Sequence, residues 1–358
     1  MFKKCISLIL ILVFVFSFSA CGEKNDTNDT NGAREVTDML GNIVNIPQKV
    51  ERVYFDWASG ITLAMTLGAV NKVIAKPDAY EKDSFAWARE ICPEVNNVPT
   101  QNDIFTSGNP ESILTLSPDI VVTSTRENVE KYNNVGMTTI YVNFTDYESF
   151  KESMLIVGTA LGDNELSAAK KYNEFLDSNI SLVEERTKNI QESDKKKIYY
   201  LDARYEDPYH TVGSGVIQEK WIISAGEILS TAKIFEGENI EITAEKFLEI
   251  DPDIIMVGGF NQKKVIDMVQ EDDVLGELSA VKSNQIYRLP VGIFPWCRTG
   301  PEAAIHVVWA AKVFHPELFE DIDIKTMAKN FYKDFYGSDI SDNYIDEILL
   351  GHICPNGE

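Results

Sequence analysis

Positive charge is scarce in this 358-residue chain: 33 Lys and Arg stand against 56 Asp and Glu, a formal net charge of -23. Nucleic-acid binding needs a basic surface to meet the phosphates, so no nucleic-acid partner is expected. Electrostatic adhesion to anionic lipid is excluded on the same ground. Histidine is scarcer still, with four residues, His210, His306, His315 and His352. His306 and His315 fall where the pattern reads as helix, so the multi-histidine cage of a zinc or manganese binder is not expected. The cysteines Cys92, Cys297 and Cys354 match neither a zinc spacing nor a small disulfide framework. No GxSxG, HExxH or Walker sequence occurs, which leaves an extracytoplasmic enzyme only as a remote alternative.

Long apolar runs are also missing, with one exception at the start. Lys3 and Lys4 precede ISLILILVFVF (6–16), and small residues follow up to Cys21. That is the layout of a secretory signal peptide over residues 1–20, too short for a well-flanked permanent span. Ser19-Ala20-Cys21-Gly22 resembles a bacterial lipobox, although Phe18 stands where leucine is usual. The resemblance implies a lipidated Cys21 at the mature N-terminus; ordinary cleavage with a free cysteine is the other reading. EKNDTNDTNGA (23–33) carries no large apolar group, so residues 21–33 read as a flexible tether. Three cysteines then remain, and an odd count leaves one over from any single bridge.

What is present is enough for a folded core, with 44% hydrophobic residues and a length suited to two compact domains. A phrase recurs. NPESILTLSPDIVV (109–122) returns at 243–256 as TAEKFLEIDPDIIM, with Glu111 and Glu245, Leu114 and Leu248, and two Pro-Asp pairs in matched places. Each copy reads as a short helix, a turn and a buried strand. Asn109-Pro110 supplies a cap and a first-turn proline, and Ile113, Leu114 and Leu116 the apolar side. REVTDMLGNIVNIP (34–47) reads as a β-hairpin. Residues 148–193 hold helical spacing without proline, with a break expected at Gly162-Asp163. Strands alternating with helices on both sides predict an α/β fold of two lobes with parallel sheets, joined by a single long helix. The expected boundaries are 34–163 for the first lobe, 164–193 for the linking helix and 194–358 for the second lobe with its helical tail. A ligand cleft belongs between the lobes, at the carboxyl ends of the strands.

The candidate ligand-binding residues follow from that placement. Asp56 and Trp57 come after the strand VYF, Tyr80 after VIAKP, and Phe105 just before the first repeated phrase. Arg126 follows DIVVTST. In the second half, Arg204, Tyr205, Tyr209 and His210 follow KKIYYL, and Trp296 and Arg298 follow IYRLP. Aromatic rings offer rigid contact area and arginines pair with anionic groups, a mixture suited to a bulky, partly anionic ligand such as a metal chelate. The same aromatics also serve as core-edge residues, and the arginines as salt-bridge partners. His210 has the chemistry of an axial metal ligand, but a lone histidine is more often simply hydrogen-bonded. Gly213-Ser214-Gly215 reads as a tight turn into a helix, with an oxyanion-binding role as the alternative.

At these residues the chain resembles the substrate-binding lipoproteins of ABC importers for ferric siderophores, haem and cobalamin. The likeness runs from Arg34 to about Gly337 through TDxxGxxVxIP, the two repeated phrases, VGSGVIQEKWIISAGE and FPWCRTGPEAAIHVVWAAKVFHPELF. It implies two lobes on one long helix and no cofactor. It also implies a monomer held outside the cell by its lipid and working with a transmembrane permease dimer and a cytoplasmic ATPase. It further implies that Glu111 and Glu245 dock onto permease arginines, and that the loop of Trp296 and Arg298 lines the cleft. Helix-dipole placement explains either glutamate alone, but not their recurrence. The expected cargo is an iron-siderophore-type chelate, haem or cobalamin. A small oxyanion such as molybdate or tungstate, or a nickel–amino-acid chelate, is the alternative.

Overall fold

The structure, a computed structural model, describes residues 34–357. The expected signal peptide, Cys21 and the tether lie outside the described residues. The hairpin forms as expected, with β1 (Arg34–Thr37) antiparallel to β2 (Ile43–Ile46). Asp38 fixes its turn: the carboxylate accepts from the main-chain N–H groups of Leu40 and Asn42, both at 2.9 Å.

The first lobe is built on β3 (Val53–Phe55), β4 (Ile120–Thr123) and β5 (Thr139–Tyr141), parallel and in that order. All ten residues of these strands are buried, as a sheet covered on both faces requires. Between β3 and β4 run α1 (Ile61–Thr66), α2 (Ala86–Ile91), α3 (Asn102–Ser107) and α4 (Pro110–Thr115); α5 (Arg126–Asn133) joins β4 to β5.

The helical passage then divides into α6 (Tyr147–Leu161) and α7 (Asp163–Thr187), with Gly162 at the break. The break is a reversal. Phe150 meets Tyr172, Lys151 binds Asp177 at 2.6 Å, and a Cβ on Gly158 would lie 3.0 Å from that of Ala169, so the two helices run antiparallel. α7 is the linking helix expected over residues 164–193. Its 25 residues span about 38 Å, and α6 packs along it.

The second lobe repeats the plan. Its elements are β6 (Lys197–Asp202), β7 (His210–Thr211), α8 (Ile217–Ser224), β8 (Ile228–Leu229), β9 (Ile240–Glu241), α9 (Ala244–Ile250), β10 (Ile254–Gly258), α10 (Gln262–Glu271), α11 (Ser279–Lys282) and β11 (Ile286–Arg288). The main sheet is parallel in the order β11-β10-β6-β8, and β7 pairs antiparallel with β9 outside it. Three helices close the chain: α12 (Ala303–Phe314), α13 (Ile324–Tyr336) and α14 (Asp342–Leu349). Tyr172 and Asn179 of α7 donate to the carbonyls of Pro301 and Ala304, both at 2.7 Å, which seats α7 on α12. Among the described residues no helix is long and apolar enough to cross a membrane.

The recurring phrase folds alike in both lobes, down to single hydrogen bonds. Asn109 and Thr243 cap α4 and α9 with their side chains. Ser117 and Asp251 take the left-handed turn after each helix, with φ of 49° and 37°. Asp119 accepts from the N–H groups of Glu51 and Arg52 at 2.8 and 2.9 Å, and Asp253 from that of Lys197 at 2.7 Å. Each aspartate thus anchors the start of the neighbouring strand. Arg52 and Lys197 return the favour by donating to helix-end carbonyls, Ser117 at 2.9 Å and Asp251 at 2.6 Å. One expectation fails here: Leu114 is 43% exposed rather than packed, and the inward side is made by the buried Ile113 with the half-buried Leu116.

If these aspartates act as strand anchors, Asp119→Ala and Asp253→Ala should each cost about 1 kcal/mol, the worth of an ordinary hydrogen bond. The double variant should show about the sum, since the sites lie in separate sheets. Urea unfolding followed by circular dichroism measures both.

Candidate functional site

The carboxyl ends of the parallel strands converge on a cleft of ≈ 190 Å³ between the lobes. From the first lobe come Trp57 and Ser59 after β3, Ser124 after β4, and Asn143 and Phe144 after β5. The second contributes Ile217 at the start of α8, Glu238 just before β9, and Phe294, Arg298 and Thr299 from the loop between β11 and α12. Trp57 and Phe144 tilt toward one another with ring centroids 6.2 Å apart.

A charged floor lies under the second-lobe side. Asp202, at the end of β6, is fully buried and accepts from Nε of Arg204 at 3.0 and 2.9 Å and from its Nη2 at 2.5 Å. Arg298 approaches the same carboxylate, Nη2 to Oδ2 at 3.6 Å, and Glu238 lies 3.2 Å from Arg204 and 4.0 Å from Arg298. Two guanidiniums and two carboxylates therefore share one place, and Arg298 Nη2 is buried there without a hydrogen-bond partner. Arg298 also lines the cleft, so the floor presents a guanidinium there, the group that pairs with anionic oxygens.

The loop that presents Arg298 is held from beneath. Glu302 accepts from the N–H of Ile293 at 2.6 Å, Trp221 donates to the carbonyl of Cys297 at 3.3 Å, and Tyr172 holds Pro301 as described. Burial pushes the Glu302 carboxyl up to about 8, against hydrogen bonds from the main chain and Tyr332 that favour its charge. Cys297 is also buried, and its thiol is pushed up to about 11.

The structure separates the candidates read from the sequence. Trp57 and Arg298 line the cleft, and Arg204 stands behind Arg298 in the charged floor. Arg126 is exposed at the first position of α5, two residues beyond Ser124. Trp296 must be corrected: it is fully buried, with its indole N–H 3.3 Å from the Tyr332 hydroxyl, and it supports the loop instead of facing ligand. Tyr80 is likewise fully buried, donating to the carbonyl of Ala58 at 3.0 Å and stacked on Phe85. Asp56 is occupied by Thr123, Asn128 and Tyr132, the first at 2.5 Å, and burial raises its carboxyl despite them. Phe105 packs on Tyr54 with centroids 5.1 Å apart.

Tyr205 stacks on His210 at 3.7 Å and donates to Asn239, while His210 Nδ1 lies 2.9 Å from Asp207. Tyr209 belongs to the second apolar cluster, with Tyr199 and Phe247. None of these five, Asp56, Phe105, Tyr205, Tyr209 and His210, lines the cleft. The Gly213-Ser214-Gly215 turn has its N–H groups engaged by Gly237, Phe235 and Glu219, and a Cβ at Gly213 would fall 2.3 Å from the Phe235 main chain. It is a tight turn, with no N–H left for an oxyanion. Ser59, Ser124, Asn143, Phe144, Ile217, Glu238, Phe294 and Thr299 were not anticipated. Asn143 and Phe144 follow a strand as the chosen residues do, and that rule alone was enough to find them; Glu238 had no such signal.

Glu111 and Glu245 stand exposed in the first turns of α4 and α9, with no ion pair among the described residues. Hydrogen bonds from its own main-chain N–H and from Thr243 hold the Glu245 carboxyl below its ordinary value. Cys92, Cys297 and Cys354 are free thiols. No group of three or more His, Cys, Asp or Glu side chains among the described residues is placed to hold a metal.

Two α/β lobes with a cleft at their strand ends define a solute-binding protein rather than a scaffold. The chain belongs to the periplasmic binding protein family, which matches residues 53–291. It is 24% identical to the molybdate-binding protein MolA of Haemophilus influenzae, over 92% of this chain and 95% of that protein. It is 22% identical to the iron(3+)-hydroxamate-binding protein YxeB of Bacillus subtilis, over 78% and 86%. A periplasmic solute binding protein from Veillonella parvula shares the fold, with a TM-score of 0.76 at 19% identity, covering 88% of this chain and 96% of that one. Relatives of this family bind solutes for transport and are not enzymes, and the family places the protein outside the cytoplasm.

The buried Glu302 carries a pH dependence. Folded, it keeps its proton up to about 8, whereas the unfolded chain loses it near 4.5. Between those values the folded state binds more protons, so stability falls as pH rises. Glu302→Gln should remove that slope, a difference on the order of a few kcal/mol across the window, read as melting temperature against pH for the two proteins.

Proposed function

We propose that this protein is the substrate-binding lipoprotein of an ABC importer, and that its cargo is a compact anion recognised through its oxygens. The observation that carries this reading is the cleft itself, which Arg298 lines together with the polar side chains of Ser59, Ser124, Asn143 and Thr299. Its volume of ≈ 190 Å³ lies below the range of about 300–1,000 Å³ usual for drug-sized ligands. A metal oxyanion of the molybdate or tungstate kind fits such a space, and the likeness to a molybdate-binding protein supports that class. A ferric hydroxamate chelate is the second reading. It is favoured by the apolar faces of Trp57, Phe144 and Phe294 and by the iron-hydroxamate-binding relative, and it requires the lobes to part.

The remaining parts of the reading rest on sequence and exposure. Cys21 would carry the lipid that holds the protein at the outer face of the cell membrane. Glu111 and Glu245, unpaired and alike in setting, would meet basic residues on the two halves of a permease dimer driven by a cytoplasmic ATPase. Charge-assisted pairs there set orientation and encounter rate more than affinity.

Calorimetric titration of residues 34–358 with molybdate, tungstate, a ferric hydroxamate, haem and cobalamin tests the cargo. Saturable 1:1 binding of an oxyanion is expected, weakened about tenfold to a hundredfold in Arg298→Ala, as for a lost charged hydrogen bond. Binding of a chelate alone would remove the oxyanion reading. For docking, Glu111→Ala with Glu245→Ala should abolish uptake by cells and leave cargo affinity unchanged. Lost affinity would place those carboxylates in the cargo site instead.

A further inference from the structure

We propose that Glu238 is a built-in placeholder for the cargo: its carboxylate occupies the cationic floor of the cleft and must swing away before an anion binds. The inference rests on the anionic-cargo reading above and names what sets affinity within it.

The two carboxylates of the floor are not equivalent. Asp202 is fully buried and locked by Arg204 through both oxygens, and it also accepts from the main-chain N–H of Arg204 at 3.1 Å. It cannot leave without stranding a buried charge. Glu238 lines the cleft, its side chain is 41% exposed, and its recorded partners are the two guanidiniums, at 3.2 and 4.0 Å. Water is available to it as soon as it turns outward.

Its main chain is fixed while its side chain is free. Gly237 and Asn239 on either side adopt left-handed conformations, with φ of 81° and 62°. Gly237 exchanges hydrogen bonds with the turn opposite, accepting from Gly213 at 2.7 Å and donating to Ser214 at 2.9 Å. Asn239 is held by Arg204 and by the Tyr205 hydroxyl at 3.1 and 3.0 Å. Glu238 therefore projects from a rigid tip, and rotation about its own side-chain bonds removes the carboxylate without moving the loop.

The charge balance follows. With Glu238 in place, two cations face two carboxylates and an arriving anion meets no net attraction. With Glu238 turned away, Asp202 alone faces the two guanidiniums and the floor carries one uncompensated positive charge, with Arg298 Nη1 relieved of its carboxylate neighbour. An oxyanion able to take over the contacts of a carboxylate completes the exchange. Glu238 thus sets a threshold for anions without touching them.

Glu238→Gln tests this by gain rather than loss, which a merely structural role would not produce. The probes are molybdate and sulfate, titrated calorimetrically at fixed salt, with Glu238→Ala as a second variant and near-UV circular dichroism to confirm folding. Both variants are expected to bind anions at least about tenfold more tightly than the native chain. If the native chain binds an anion and the variants bind it equally or more weakly, the placeholder is wrong and the anionic reading stands. If the variants instead lose binding of nickel or of a ferric hydroxamate, Glu238 contacts the cargo and the proposal is overturned. If no anion binds native or variant protein, the placeholder and the anionic reading are both removed.

Discussion

Two side chains of α7 hold the site together. The Tyr172 hydroxyl and the Asn179 amide reach main-chain carbonyls at Pro301 and Ala304, where the loop bearing Arg298 runs into α12. α7 follows directly from α6, which packs through Phe150 and Phe144 toward Trp57 on the other wall of the cleft. The distance between the walls is therefore set by one continuous pair of helices rather than by loops. A second tie lies at the far end of the chain. The Trp87 indole donates to the carbonyl of His352 at 2.7 Å, and Tyr336 meets Thr66 at 2.8 Å, so the terminal helices reach back to the first lobe. Such a frame favours a small tilt of the lobes over a free hinge, because a hinge would have to break the buried hydrogen bonds of Tyr172 and Asn179.

The repeated phrase has two physical causes at once. Its Pro-Asp pairs are structural, since each aspartate pins the neighbouring strand and each neighbouring strand sends a cation back to cap the helix. Its glutamates take no part in that exchange. Both are exposed and sit in the first turn of a helix, where a carboxylate complements the helix dipole. Leu114 is exposed beside Glu111 while Leu248 is half-buried beside Glu245, so the two faces differ in their apolar rim.

Much of the fold was legible because periodicity and capping report backbone conformation directly. The hairpin, the Asn109 cap, the break at Gly162 and the two parallel sheets all follow from local chemistry. The site was legible only in part. The rule that ligands gather after parallel strands located Trp57 and Arg298, but it says where a residue sits and not which way its side chain turns. Trp296 and Arg298 are two positions apart in one loop; one points into the core to meet Tyr332 and the other into the cleft. Tyr80 was lost in the same way, to a stack on Phe85. Glu238 escaped notice because nothing in EGEN distinguishes a turn acid from a solvated one until the fold brings two arginines to it.

The free thiols give each lobe a silent clock. Cys92 lies buried in the first lobe, and Cys297 directly precedes Arg298 in the second, its sulfur 3.6 Å from the Tyr200 hydroxyl. Burial keeps both protonated, pushed up to about 12 and about 11, and only the thiolate reacts. Their alkylation at neutral pH must wait for a local opening, so each rate counts how often its own half breathes. For Cys297 the opening in question is that of the loop bearing Arg298, and a seated cargo would slow its ticking while leaving that of Cys92 to its own lobe.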